Sequence, residues 1–439
     1  MAMVVKNNMS ALSTLNTLNK NTNALSKSLQ KVSSGMKINS AADDASGYAI
    51  SERMRVQIRS LDQANSNAQN GGSMMKVAEG AVSSTVEILK TLKEKAVNAA
   101  NDTNTDADRQ TIQKELDQSI DQINDNANVT FNGQYLVDGS KNGKTTATCT
   151  ALTNQSLAET TGSSTKLTEL KARNNDSLNI QATDTITVSW VKDGKTYTAS
   201  TQVGSLSLDA ALKSMKDGAQ TLSTDISLSA GKTSFIAIDG SGNSVYTASG
   251  ESSITIASKA NGVDGQISGF TISITDNTGA VRKSANAALD AFDETLRAQN
   301  ASVDNSINLQ IGTKANQTIK VGLTDMKAQA LGLQGKNNDT IQVGNQEQAN
   351  AAINVLDAAI QKALDQQTTI GAVQSRLEYT QSNLTTASEN VTAAESTIRD
   401  ADMAKEMTEY TKNNVLMQAA QSMLAQANQS SSNVLSLLQ

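Results

Sequence analysis

The chain has 439 residues, with 37 Lys+Arg against 43 Asp+Glu, a formal net charge of −6 and 18% charged residues. That is too weakly charged, and of the wrong sign, for a protein that must neutralise nucleic-acid phosphates, and 3% aromatics offer few base-stacking platforms. With no His and a single Cys, Cys149, the chain can build no His-based triad, two-His zinc helix, intrachain disulfide or cysteine-rich metal cluster.

At the N-terminus, "MAMVVKNNMS" has no basic region followed by an apolar run, so no cleaved secretory signal is expected. No stretch approaches 18 consecutive apolar residues, so no membrane span and no membrane partner is expected. Val4, Asn8, Ala11, Leu15, Leu18, Thr22, Leu25, Leu29, Val32 and Met36 then recur at three-four spacing, a heptad seam with polar interruptions. Gly35 is placed to stop that helix. The stretch "SSGMKINSAADDASGYAI" that follows, from Ser33 to Ile50, has too few apolar residues for a core strand and reads as a joint between two long helices.

Within the joint, Asp43 and Asp44 are the one paired-carboxylate signal. Carboxylates at a helix start accept orphan N–H groups and suit the positive end of the dipole, and no His, Cys or acidic partner converges on them. A second helix from Asp43 to Asn101, seamed by Leu61, Ala64, Ala68, Gly71, Met75, Ala78, Val82, Thr85, Leu89, Leu92, Ala96 and Ala99, spans on the order of 85 Å. A shorter third helix puts Ile112, Leu116, Ile120 and Ile123 on one face.

From about residue 139 to residue 305 the text changes to Gly, Ser and Thr with alternating apolar residues. "TITVSWVKDGKTYTAS" is a hairpin, with Ile186, Val188 and Trp190 on one face and Asp193-Gly194 as its turn. "SSITIASKANG" and "GFTISITDNTG" repeat that idiom, and short helices are predicted at "LDAALKSM" and "ANAALDAFDETLRAQ". "DGSGNS" at Asp239 lacks the spaced acids of a calcium loop and the Lys of a P-loop, and reads as a turn.

The C-terminal part returns to heptads: Leu356, Ala363, Ile370, Leu377, Leu384, Val391 and Ile398 fall every seventh residue. After "RDADMAKEM" a last helix carries Met407, Tyr410, Met417, Leu424, Leu435 and Leu438. Narrow apolar stripes on long terminal helices are buried only against each other or against other subunits. No catalytic, cofactor or metal constellation emerges, so an enzyme is not expected.

"KVSSGMKINSAADDASGYAISERM", "NVTFNGQYLVDGS", "INLQIGTKANQTIKVGLTDMKAQALGL", "IGAVQSRLEYTQSNLTTASENVTAAESTIRDADMAKEM" and "MLAQANQSSSNVLSLL" resemble, in order, the bacterial flagellins. The resemblance implies an α+β multidomain fold. Long antiparallel coiled-coil helices from both termini make an inner domain (residues 1–36 with 403–439) and a rod with a small β-hairpin (37–140 with 306–402). A mainly β variable outer region (141–305), with room for two lobes, is inserted between them.

The implied function is a subunit that self-polymerises into the helical filament used for motility, its terminal helices ordering on assembly. The polymerisation seam would be Val4, Leu15, Leu18, Leu25, Leu29, Val32, Met407, Tyr410, Met417, Leu424, Leu435 and Leu438. Gly35, Asn39, Asp43 and Asp44 would form an elbow and the start of the rod. Implied partners are further copies of the chain, flagellar cap and hook-junction proteins, and an export chaperone on residues 415–438. Implied localisation is the extracellular filament, reached by type III export without a cleaved signal.

Departures from the family pattern matter as well. Host flagellin receptors read a rod surface that corresponds here to Leu89, Thr91, Glu94, Lys95 and Glu115. Thr91 stands for the usual Arg and Lys95 for the usual Leu, which removes a forked donor and an apolar anchor and implies weak activation. Ser431 stands where many relatives have Pro, so a more continuous last helix is expected. Other readings are a hook–filament junction protein, or a polymerising surface adhesin whose outer region binds through Trp190, Tyr197 and Tyr246. The absence of His argues against an embedded zinc protease.

Overall fold

A computed structural model of the chain describes residues 8–218, 220–232, 235–246 and 252–437. Val4 and Leu438 of the expected seam lie outside the described residues, as does the Leu435 side chain. The chain divides into two compact units, one of residues 1–68, 310–317 and 379–439, the other of residues 69–309 and 318–378.

The first unit is helical. It holds α1 (Met9–Ser34), the beginning of α2 (Ala45–Ala99), the end of α7 (Gln346–Arg399) and α8 (Met403–Leu437). Asn8 starts α1, its side chain accepting from Ala11 N at 3.0 Å. Gly35 ends it in the left-handed region at φ 70°, its N–H reaching Lys31 O at 2.9 Å. Leu61, Ala64 and Leu384 form a narrow core with Ala387 and Val391 packed beside it, so small side chains let α2 and α7 approach closely. α8 runs through Ser431 without a break.

The second unit begins with the rest of α2 and with α3 (Asp106–Ala127), which starts on a capping box between Thr105 and Asp108. Arg109, buried, donates Nε to Ala99 O at 2.9 Å and Nη2 to Asn101 O at 3.1 Å. It thereby satisfies Ala99 O at the end of α2 and adds a second donor to Asn101 O, which also accepts from Asn104 N at 3.2 Å. Leu89, Leu92, Leu116, Ile120, Ile123, Leu356 and Ile370 are buried here. β1 (Thr130–Phe131) and β2 (Gln134–Tyr135) form a small hairpin over Asn132-Gly133, both residues at positive φ.

The inserted region is mainly β. Its elements in order are β3 (Ala151–Asn154), β4 (Thr185–Lys192), β5 (Lys195–Gln202), α4 (Leu208–Ser214), β6 (Lys216–Asp217), β7 (Gln220–Thr221) and α5 (Leu222–Asp225). Then come β8 (Ile226–Lys232), β9 (Phe235–Ile238), β10 (Ser244–Tyr246), β11 (Ser252–Ser258), β12 (Ile267–Thr275), α6 (Lys283–Leu289) and β13 (Phe292–Leu296). A hairpin of β14 (Ile307–Gln310) and β15 (Thr318–Val321) follows before α7.

Two antiparallel sheets, ordered β13-β3-β11-β8 and β12-β4-β5, contribute to one apolar cluster that includes Ile186, Val188, Trp190, Ile254, Ile256, Phe270, Ile272 and Leu289. The β4–β5 hairpin turns at Asp193-Gly194 with φ 51° and 75°, and Ile186, Val188 and Trp190 share its buried face. "SSITIASKANG" and "GFTISITDNTG" each supply one strand, but β11 pairs with β3 and β8, and β12 with β4.

One expectation changes here. The helix predicted over "ANAALDAFDETLRAQ" stops at Leu289, and Phe292–Leu296 is strand β13, paired with β3. Phe292 meets Phe270 edge to face at 5.3 Å. Pairing and aromatic packing outweigh the helix propensity of a short polar segment.

Candidate assembly surface

The residues singled out in the sequence are mostly apolar helix positions, so the site is a pair of helix faces rather than a reactive centre. Along α1, Asn8 Nδ2 donates to Ala427 O at 3.2 Å and Asn21 Nδ2 to Leu416 O at 3.2 Å. Asn413 Nδ2 reaches Ser28 Oγ at 3.1 Å, and Lys31 Nζ lies 3.4 Å from Glu406 Oε1. Partner numbers fall as α1 advances, so α1 and α8 run antiparallel. Three asparagines thus fix the register, a role that an apolar heptad pattern does not reveal.

The pair buries little of itself. Among the described side chains of α1 and α8, only Ser28 and Ala420 are buried. Leu18, Leu25, Val32, Tyr410, Met417 and Leu424 are half-buried. Leu15, Leu29 and Met407 are 41%, 52% and 45% exposed. Met9, Leu12, Val415, Leu416 and Met423, absent from the seam read in the sequence, are exposed as well. The stripe pattern therefore does not separate covered from uncovered positions along the two helices. The pair thus carries a row of exposed large apolar side chains.

The elbow is tied to the α7–α8 junction. Lys37 N donates to Arg399 O at 2.7 Å, Ala401 N to Gly35 O at 2.9 Å, and Met36 bridges Asp400. The two aspartates do different jobs. Asp44 Oδ1 accepts from Ser46 N and Gly47 N, both at 3.0 Å, and so caps α2. Asp43 Oδ2 accepts from Asn39 N at 3.2 Å, Ser40 N at 3.0 Å and Ser40 Oγ at 3.1 Å, stapling the loop back on itself. Desolvation pulls the Asp43 carboxyl up, but those hydrogen bonds outweigh it and hold the group below its ordinary range. Asn39 Nδ2 in turn donates to Met36 O at 3.2 Å. Behind the elbow, buried Arg399 donates to Glu52 at 2.7 Å and lies over the Tyr48 ring at 5.4 Å. The hydrogen bond from Arg399 is the main cause of the lowered Glu52 carboxyl pKa.

The description "Bacterial flagellin N-terminal helical region" matches residues 5–142, and "Bacterial flagellin C-terminal helical region" matches residues 353–438. A flagellin of Clostridium tyrobutyricum is 37% identical across 97% of this chain and 99% of its own length. A flagellin of Bacillus subtilis (strain 168) is 31% identical across 99% of this chain and 100% of its own. This chain belongs to the flagellin family. Among solved structures, flagellar hook associated protein-3 from Legionella pneumophila covers 78% of this flagellin and 97% of its own chain, at 15% identity and a TM-score of 0.34.

Of the five receptor-surface positions, Leu89 is fully buried in this flagellin and offers nothing to a partner. Thr91 and Glu94 are exposed, and Thr91 Oγ1 is turned back to Glu87 O at 3.1 Å. Lys95 Nζ pairs with Glu115 Oε2 at 2.9 Å. The three aromatics of the adhesin reading are divided between sheets. Trp190 is buried and stacks on Tyr197 at 5.6 Å in the β4–β5 hairpin, and Tyr246 lies exposed against Phe235 in the β9–β10 pair.

Asp239 Oδ1 accepts from Ser241 N at 2.9 Å and Asn243 N at 2.8 Å, the geometry of an Asx turn. Cys149 is buried, and desolvation pushes its thiol pKa up, the opposite of an activated thiolate. Among the described residues, no group of three or more His, Cys, Asp or Glu converges to hold a metal, and no helix is long and apolar enough to cross a membrane.

Proposed function

We propose that this flagellin is the structural subunit of a bacterial flagellar filament, with no catalytic role, and that its terminal helices complete their burial only in the polymer. The observation that carries this reading is the α1–α8 pair, 26 and 35 residues long, with Ser28 and Ala420 its only buried side chains among those described. Ordering a residue costs about 1–2 kcal/mol. Burying a large apolar side chain returns roughly 1.5–3 kcal/mol. Half-buried helices therefore gain enough only when several neighbours cover them together. Such coupling suppresses polymerisation away from a growing tip, and a head-to-tail contact that does not close yields an open helix.

In this reading residues 1–36 with 403–439 form an inner domain, 37–140 with 306–402 a rod, and 141–305 a solvent-facing outer region. Gly35, Asn39, Asp43 and Asp44 set the angle between inner domain and rod. Cap and hook-junction proteins meet the ends of the polymer, and an export chaperone holds residues 415–438 before unfolded export to the extracellular filament. A host flagellin receptor is activated weakly, because Lys95 already pairs with Glu115. A reporter response equal to that of a strongly stimulatory flagellin overturns that last point.

The test adds short filament seeds to purified monomer, with sedimentation and negative-stain imaging as readouts. The full chain is compared with one lacking residues 1–36 and 403–439. Long filaments from the full chain alone support the reading. Filaments from both place the contacts in the rod and outer region, and filaments from neither favour the junction or adhesin role.

A further inference from the structure

β12 is an outer strand of its sheet, so the side facing away from β4 presents alternate backbone groups at residues 270, 272 and 274. Such a row is a ready template for pairing with another strand. Here Phe270 O and the amides of Ile272 and Ile274 are engaged by side chains rather than by a strand. Asn354 Nδ2 donates to Phe270 O at 3.3 Å. Ile272 N donates to Asp290 Oδ1 at 3.2 Å, and Ile274 N to Asn286 Oδ1 at 2.7 Å. Arg282 N closes the row on Ile274 O at 3.0 Å. The opposite edge follows the same plan, with Thr198 N of β5 donating to Asp217 Oδ2 at 3.0 Å.

The match at β12 follows from elementary spacing. Asn286 lies in α6 and Asp290 caps its end, four residues on, which is about 6 Å along a helix. The two amides they meet are two residues apart in an extended strand, about 6.6 Å. One turn of α6 therefore spans the amide repeat of the edge it covers. The Asn286 side chain is fixed from its other end too, since its Nδ2 donates to Ser273 Oγ at 3.1 Å.

We propose that Asn286 and Asp290 form a built-in block against strand pairing between the outer regions of neighbouring copies of this chain. The inference rests on the filament reading, because a polymer holds identical outer regions at high local concentration, where an open edge would recruit its equal. By taking the two amides with side chains, α6 and its cap residue withhold from an incoming strand the donors it would pair with until both side chains are displaced. The block does not compete with assembly, which in this reading proceeds through the terminal helices.

The test compares the full chain with Asn286→Ala/Asp290→Ala, with Asn286→Ala alone, and with the double variant carrying Ser273→Lys. Seeded filaments are spun at low speed to pellet bundles, and monomers are examined by sedimentation velocity. Trp190, the single tryptophan, reports by its emission whether the sheet core is intact. The double variant is expected to give at least about tenfold more bundled protein than the parent, with a lesser rise for the single variant. Ser273→Lys, a charge on the strand itself, is expected to return bundling to the parental level.

A double variant with native Trp190 emission and no bundling overturns the block. So does bundling that Ser273→Lys leaves unrelieved, which marks unfolding rather than edge pairing. If the double variant loses its core, the single variant decides by the same two criteria. Failure of parental monomer to elongate seeds sinks the filament reading, and variant monomer association still tests the block independently.

Discussion

Asp290 shows how one residue serves one end and costs another. Burial is the larger influence on its carboxyl, only partly offset by the hydrogen bond from Ile272 N, and its pKa is pushed up to about 6. Between the ordinary value of 3.8 and about 6, the folded chain holds a proton that the unfolded chain releases. Stability contributed by this group is therefore greatest below pH 3.8 and is lost as pH rises through 6. Asp290→Asn keeps the acceptor and removes the charge. It should stabilise the outer region by on the order of 1–2 kcal/mol at pH 7.5 and change little near pH 4. Denaturant unfolding followed by Trp190 emission checks both, and equal effects at the two pH values would refute the assignment. Gly35 is the second case. Its φ of 70° is left-handed, and no atom lies within 4 Å of where a Cβ would stand, so any cost of substitution is purely conformational. Gly35→Val should destabilise the end of α1 by roughly 1–2 kcal/mol, and Gly35→Asn by less. Hydrogen exchange at residues 31–37 is the readout.

At the scale of elements, the outer region is joined to α7 by contact at the backbone. A Cβ at Gly269 of β12 would lie 2.7 Å from Val355 Cγ2 and 2.9 Å from Ala351 O, so the strand rests directly on the helix. Gly269→Val should force them apart, at a cost of about 1–3 kcal/mol. An earlier unfolding transition at Trp190, with α-helix content retained, is the expected signature. The α6–β13 boundary belongs to this scale too. Residues 285–299 have a helical text, yet the helix ends where Phe292 finds Phe270 and where β3 offers an unpaired edge. No local signal marks that boundary, because both partners are more than twenty residues away or on another sheet.

At the scale of the whole molecule, the proposed filament role predicts that the exposed apolar residues of α1 and α8 matter to assembly more than to folding. Leu15→Asp and Leu29→Asp sit at exposed positions, so the monomer should keep its stability. Each should raise the critical concentration for seeded growth by about tenfold or more, measured by sedimentation. Unchanged growth would remove these residues from the polymer contact. The long helices, their glycine and aspartate ends, the β4–β5 hairpin with its Asp193-Gly194 turn, and the family itself were legible in the residues. Each rests on local periodicity, on caps and turns that act within a few residues, or on long motifs. What tertiary structure alone decided is non-local. It divided Asp43 from Asp44 in their tasks, paired β11 with β3 and β8, and buried Leu89. It set asparagines rather than leucines to fix α1 against α8, and placed Asn286 and Asp290 one helical turn apart over alternate amides of β12. These depend on which backbone groups remain unsatisfied once distant segments meet, and that is known only when the chain has folded.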